Sequence, residues 1–217
     1  MRVFATCVAL ALCAACGQPT APAGSSSPAT ASDAVHPANI TRVRTELPEG
    51  YEVADLAGRA SPLAFWGFGP QWSADPPQCG ALADVAPSGE PVHGWSASGR
   101  GGIVYAVVVD SAGGLDAALI DECGVWTVSA GHTSGLVTSV AAPVIEGVAT
   151  VGMVTDATTV VEGGTETHSR AATFSAYLSG YVAYVTIVTD PGSPDPALGP
   201  DFAAALLAKA VSAVRGG

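Results

Sequence analysis

The chain has 217 residues, 48% hydrophobic and 12% charged, with 26 Gly and 16 Pro. That apolar fraction excludes a wholly disordered protein, and the lack of a triplet Gly period excludes a collagen-like fibre. Eight Lys and Arg face nineteen Asp and Glu for a formal charge of -11, with Lys209 the single lysine, so no cation cluster exists to track a phosphate backbone and nucleic acid is excluded as a partner.

In chain order, Arg2 precedes a largely apolar stretch, Val3 to Ala15, which ends in Cys13-Ala14-Ala15-Cys16-Gly17. It is too short to cross a bilayer, which takes about 20 residues. A positive start, a short hydrophobic region and small residues at its end predict an export signal over residues 1–15. The segment resembles a bacterial lipoprotein signal, although Cys13 stands where that pattern usually has Leu. The resemblance implies that Cys16 receives the lipid and holds the protein on the outer face of the cell membrane; an ordinary secretion signal cut near Ala15 is the alternative. Residues 16–38 then read as the lipidated cysteine and a tether. Between Gly17 and Pro37 there is one formal charge, Asp33, and no aromatic residue, a composition that cannot offset the entropy of ordering.

A single extracytoplasmic domain is expected over residues 39–217. Asn39 is placed to cap a short helix from Ile40, in which Ile40, Val43 and Leu47 recur before Pro48. Tyr51 and Val53, alternating with Glu52 and Ala54, suggest a strand or an extended arm. The aromatic stretch Leu63 to Trp72 is broken by Gly and Pro, which favours irregular packing. Pro76-Pro77-Gln78 delivers Cys79, and Ala81 to Ala86 suits one helical turn. Cys7 and Cys13 leave with the signal and Cys16 would carry lipid, so Cys79 and Cys123 are left in the folded region, and two thiols in an oxidising compartment predict one disulfide, with two separate buried thiols as the alternative.

Trp95 to Ser98 and Ile103 to Val109 flank Gly99-Arg100-Gly101-Gly102, a hairpin pattern. Ile103 to Val109 is apolar on both faces and predicts a central strand. Leu115 to Glu122 suits a helix, Val125 to Val128 a strand, Ser134 to Ala142 a mixed segment and Val148 to Thr155 another strand. Ala171 to Thr189 is a run of nineteen uncharged residues. Its Val, Thr and Tyr content favours two strands, 172–178 and 181–189, turning at Ser179-Gly180, over a membrane span. Asp190 to Pro196 reads as loop. Asp201 to Arg215 repeats Phe202, Leu206, Ala210 and Val214 every four residues and predicts a closing helix laid on a sheet.

Val43-Arg44-Thr45-Glu46-Leu47-Pro48-Glu49-Gly50-Tyr51-Glu52-Val53, Pro76-Pro77-Gln78-Cys79 and the closing helix resemble small actinobacterial, mostly mycobacterial, lipoproteins of unknown function. More distantly the chain is similar to the extracellular sensor domain of mycobacterial serine/threonine protein kinases, through Pro77-Gln78-Cys79. That similarity implies a curved sheet and a cleft. The fold class expected is therefore α+β: a mostly antiparallel curved sheet against a C-terminal helix and one or two shorter helices, with one disulfide.

No spacing specifies a reaction. Gly94 to Gly99 matches Gly-x-Ser-x-Gly only with an insertion, and Gly131-His132-Thr133-Ser134-Gly135 fails too. Glu166, His168 and Arg170 share a strand face and could line an ionic pocket or make ordinary cross-strand pairs. A metal would need a third ligand, such as Asp156 or His132, and neither a metal nor a cofactor is expected. Arg100 between glycines is either a ligand clamp or a solvated turn residue. Trp66 and Trp95 are candidates to line an apolar groove, with core packing as the rival reading. The candidate ligand-lining residues are thus Trp66, Trp95, Arg100, His168 and Arg170. The function expected is a membrane-anchored lipoprotein whose sensor-like, non-catalytic domain binds an envelope lipid, a small molecule or a protein partner. The alternatives are a cell-envelope hydrolase with a dispersed triad and a structural envelope interaction protein.

Overall fold

The computed structural model describes residues 34–56, 58, 61–85, 92–111 and 113–216; the export signal, Cys16 and most of the expected tether lie outside them. From Pro37 the chain forms a 3-10 helix, Pro37–Glu46, then β1 (Glu52–Asp55), α1 (Pro62–Phe65), β2 (Ser73–Asp75) and a second 3-10 helix, Pro77–Leu82. There follow β3 (Val92–Gly99), β4 (Gly102–Asp110), α2 (Ala117–Glu122), β5 (Val125–Ala130), β6 (Thr133–Val140), β7 (Ala149–Val160), β8 (Glu166–Leu178), β9 (Tyr181–Thr189) and α3 (Pro200–Arg215).

Among the described residues nine strands make one sheet, ordered β1-β3-β4-β9-β8-β7-β6-β5-β2, and every neighbouring pair is antiparallel. The expectation of a curved sheet is corrected: this sheet does not curl. β1 and β2 end it as separate edges. Each ladder keeps an unbroken register, with twelve consecutive pairs between β7 and β8, so no bulge supplies the extra residue that bends a strand.

β4 is interior because its apolar run can be covered twice. Val104, Ala106, Val107, Val108 and Val109 are all buried. On one face Ala172, Phe174 and Ala176 of β8 meet Leu206, Leu207, Val211 and Val214 of α3, and Ile40 and Val43 of the first 3-10 helix join Trp95 in the same cluster. On the other face Leu63, Trp66, Phe68, Leu82, Trp126 and Ala171 pack together around the Cys79–Cys123 disulfide. The two faces of β8 are therefore filled from alternating positions, as strand geometry requires. The uncharged run folds as the β8–β9 hairpin; its two-residue turn ends at Gly180 with φ 74°, which glycine adopts without steric cost. Among the described residues no helix is long and apolar enough to cross a membrane.

Several local expectations are revised. Asn39 does not cap; His36 precedes the 3-10 helix, and the Asn39 side-chain amide donates instead to the Gly216 carbonyl at 3.2 Å. α1 forms inside the aromatic stretch because Ser61 Oγ accepts from the Ala64 amide at 3.3 Å and Pro62 suits a first helical turn. The mixed segment is a regular strand, β6, whose Gly135 leaves room for the Phe68 ring: a Cβ there would lie 2.9 Å from Phe68 Cζ. The turn expected at 81–86 starts earlier, at Pro77.

Tyr177 and Tyr184 sit on the disulfide side of the sheet. Burial pushes the Tyr177 hydroxyl up to about 12 and raises Tyr184 as well. Below about pH 10 both folded and unfolded states keep these protons. Above it the unfolded chain releases them while the folded chain holds them, so stability falls as pH rises through the window between 10 and 12. The expected loss is about 1.4 kcal/mol per pH unit for each such tyrosine. Urea midpoints of wild type and Tyr177→Phe from pH 9 to 11 check it; equal slopes for the two proteins would reject the assignment.

Candidate functional site

The β3–β4 hairpin closes through Arg100 and Gly101 between the paired strand ends Gly99 and Gly102, and three of these four residues admit no larger side chain. A Cβ on Gly99 would lie 2.6 Å from the Tyr51 ring, and one on Gly101 would lie 2.8 Å from the Tyr51 hydroxyl and 2.9 Å from Leu198. Gly102 has φ 120°, and its Cβ would reach 2.4 Å from the Val188 carbonyl oxygen. The turn thus carries one side chain, Arg100, on a backbone wedged against its neighbours. The Leu198 amide donates to the Gly101 carbonyl at 2.9 Å and ties this turn to the loop between β9 and α3.

That loop is organised by its own side chains. Asp190 Oδ1 accepts from the Gly192 amide at 2.7 Å, the Ser193 amide donates to the Asp190 carbonyl at 3.0 Å, and Ser193 Oγ accepts from the Asp195 amide at 3.2 Å. Such Asp and Ser contacts are how short polar side chains hold turns. Between turn and loop lies a cleft of about 340 Å³, lined by residues 99–103, Ser169, Val188, Thr189, Asp190, Ser193, Asp195 and Ala197. Ile103 and Val188, paired across β4 and β9, give it an apolar floor.

The charges of this cleft are not paired with one another. Among the described residues Arg44 pairs with Asp55, Arg170 with Asp156 and Lys209 with Glu46, and Arg215 donates to the Glu146 carbonyl. Among the described residues the side chains of Arg42 and Arg100 make no ion pair or hydrogen bond. The Asp195 carboxylate is likewise unpartnered and half-buried. A cation and two carboxylates therefore border one small cavity without neutralising each other inside it.

The other expected ligand-lining residues lie elsewhere. Trp95 is fully buried and its indole donates to the Ile40 carbonyl at 3.0 Å; Trp66 is buried and donates to Thr173 Oγ1 at 2.9 Å. Both are core residues. His168 and Arg170 flank Ser169 in β8 and so point to the face opposite the cleft. There Arg170 Nη1 lies 3.2 Å from Asp156, and His168 Nδ1 lies 3.1 Å from the Thr158 hydroxyl, each pair directly opposite in the β7–β8 register. Ser96 lies within β3 and Ser134 within β6, whereas a nucleophile elbow needs a strand-to-helix turn. Among the described residues no group of three or more His, Cys, Asp and Glu is placed to hold a metal ion. Asp190 and Asp195 were not singled out by sequence; the signal available was two acids in a Pro- and Gly-rich loop that follows a strand.

Comparison with known proteins places these features. Residues 36–215 match the family described as Domain of unknown function (DUF5642). No curated protein matches the chain. Among solved structures, the chain is similar to the X-ray structure of an uncharacterized protein, described as an Rv0999 ortholog, from Mycobacterium smegmatis. The two share 21% identity with a TM-score of 0.64, over 86% of this chain and 100% of that one. At that identity the likeness concerns the fold alone.

Proposed function

The chain belongs to the DUF5642 family of domains of unknown function, and from that premise we propose that it is a lipid-anchored surface protein that binds a small ligand in the cleft beside Arg100, without covalent chemistry. The observation that carries this reading is the Arg100 side chain, without an ion pair or hydrogen bond among the described residues, on a turn whose backbone is wedged at three glycines and borders a cavity also lined by Asp190 and Asp195. Pockets of this size with an apolar floor and a few convergent polar groups suit small molecules. A turn that cannot relax is also preorganised, which reduces the entropy lost on binding.

The cellular setting is part of the proposal. The Cys79–Cys123 bridge supports an oxidising compartment, and the leader followed by Cys16 supports export and lipid attachment. A lipid at Cys16 would raise the local concentration of the domain at the membrane, and the stretch up to Pro37 would set its reach. The sensor-like character inferred from the kinase ectodomain resemblance belongs to this proposal too. A dispersed-triad hydrolase and a purely structural envelope protein are not favoured by any contact described above.

Two measurements test the reading. Cys16→Ser is expected to abolish labelled-palmitate incorporation and to release the protein from the membrane fraction; persistent labelling would reject the anchor. The full chain, extracted from its own host in nonionic detergent and examined by native mass spectrometry, is expected to carry a bound small molecule that Arg100→Ala loses. Wild type without any adduct, together with no ligand-dependent change at the cleft, would reject the binding role.

A further inference from the structure

We propose that the cleft selects a zwitterion: a ligand whose acidic group pairs with Arg100, whose ammonium group pairs with Asp195, and whose short body covers Ile103 and Val188. The inference rests on the binding role proposed for this cleft and goes beyond it by fixing the ligand's charge pattern. Arg100 forms no ion pair with Asp190 or Asp195, which line the same cavity, so their charged atoms lie more than 4.0 Å apart. A purely anionic ligand would meet Asp190 and Asp195 as well as Arg100. A purely cationic one would meet Arg100. Like-charge contacts of that kind are the repulsive half of specificity, and only a ligand with both signs satisfies both walls.

The two carboxylates are not equivalent. Asp190 already accepts the Gly192 amide with Oδ1 and shapes its own loop, whereas Asp195 engages only its backbone amide, with Ser193. Asp195 is also half-buried, where a charge pair is screened less than on open surface. It is therefore the ammonium acceptor. The cavity of about 340 Å³ corresponds to about eleven water volumes, a size suited to an amino acid or a dipeptide with free ends. An ethanolamine lipid headgroup offers the same pairing of ammonium and acid, so the source is a free peptide or a headgroup.

The test uses the full chain in nonionic detergent. Alanyl-leucine, its N-acetyl derivative and its methyl ester are titrated separately while the amides of residues 99–103 and 188–197 are followed by NMR; vesicles containing phosphatidylethanolamine form a parallel arm. The zwitterionic peptide or the vesicles are expected to shift those amides. Masking either charge of the peptide, or introducing Arg100→Gln or Asp195→Asn, is expected to weaken binding about tenfold or more. The charge assignment has its own signature: Arg100→Gln should bind the ester and the free acid alike, and Asp195→Asn should bind the acetylated and free amines alike. A response confined to vesicles identifies the headgroup as the source. Equal binding of masked and unmasked peptides overturns the zwitterion while leaving the cleft reading intact. The zwitterion is overturned in the same way if neither probe shifts the cleft although host-extracted protein carries an adduct that depends on Arg100. No response and no adduct would remove both.

Discussion

Replacing both Cys79 and Cys123 with alanine is expected to cost about 4 kcal/mol of folding stability, from the chain entropy released when the bridge over a separation of 44 residues is cut. Typical domains have about 5–15 kcal/mol in total, so this loss is large. Its location follows from packing. Cys79 belongs to the 3-10 helix Pro77–Leu82 and Cys123 ends α2. Both are fully buried among Leu82, Ala83 and Trp126. α2 contributes no fully buried residue, and Leu119 packs half-buried from it against the same cluster, so the bridge, together with Ser139 Oγ donating to the Cys123 carbonyl at 2.9 Å, is its main tie to the layer over this face of the sheet. Urea unfolding of wild type against the double-alanine variant reads the difference. Coincident midpoints would mean that packing alone holds the cover and that the bridge adds nothing.

Trp95→Ala should be comparably severe, at about 3–5 kcal/mol. The indole lies wholly inside the core between β3 and the first 3-10 helix, and its Nε1 donates to the Ile40 carbonyl at 3.0 Å. Alanine removes the volume and leaves that carbonyl without its donor. Trp95→Phe keeps most of the volume and loses the donor, so it isolates the hydrogen bond at about 1–3 kcal/mol. If the two variants unfolded at the same urea concentration, cavity formation would not be the dominant cost.

The strands most plainly legible in sequence have two faces of one chemistry, although β5, which alternates exposed and buried residues, was read from Val125 to Val128 as well. Ile103 to Val109 is apolar throughout and forms β4, an interior strand third from the β1 edge of the sheet. The uncharged run from Ala171 resolves into β8 and β9 because β-branched and aromatic residues flank a Ser-Gly turn. β6 escaped because Gly135, needed beneath Phe68, interrupts the alternation that marks a strand. Curvature was expected from resemblance alone, and side-chain alternation says which face a residue occupies, not how a sheet bends or which strands are neighbours. The site was half legible. Arg100 stood out as a cation among glycines, and its turn does border the cleft. Asp190 and Asp195 did not, because loop acids follow no period and their place in the cleft lining depends on how β9 and α3 are joined. Trp66 and Trp95 misled for a simpler reason: an aromatic residue suits a core and a groove equally well in sequence.

The course of α3 separates the start of the described chain from the cleft. Its last turn meets the beginning of the folded unit, where the His36 amide donates to the Val214 carbonyl at 2.8 Å. Its first residue, Pro200, follows directly on the loop that walls the cleft. Sixteen helical residues lie between, a span of about 24 Å. A pull on the chain at His36 is therefore borne by the end of α3 opposite the one that joins the cleft loop.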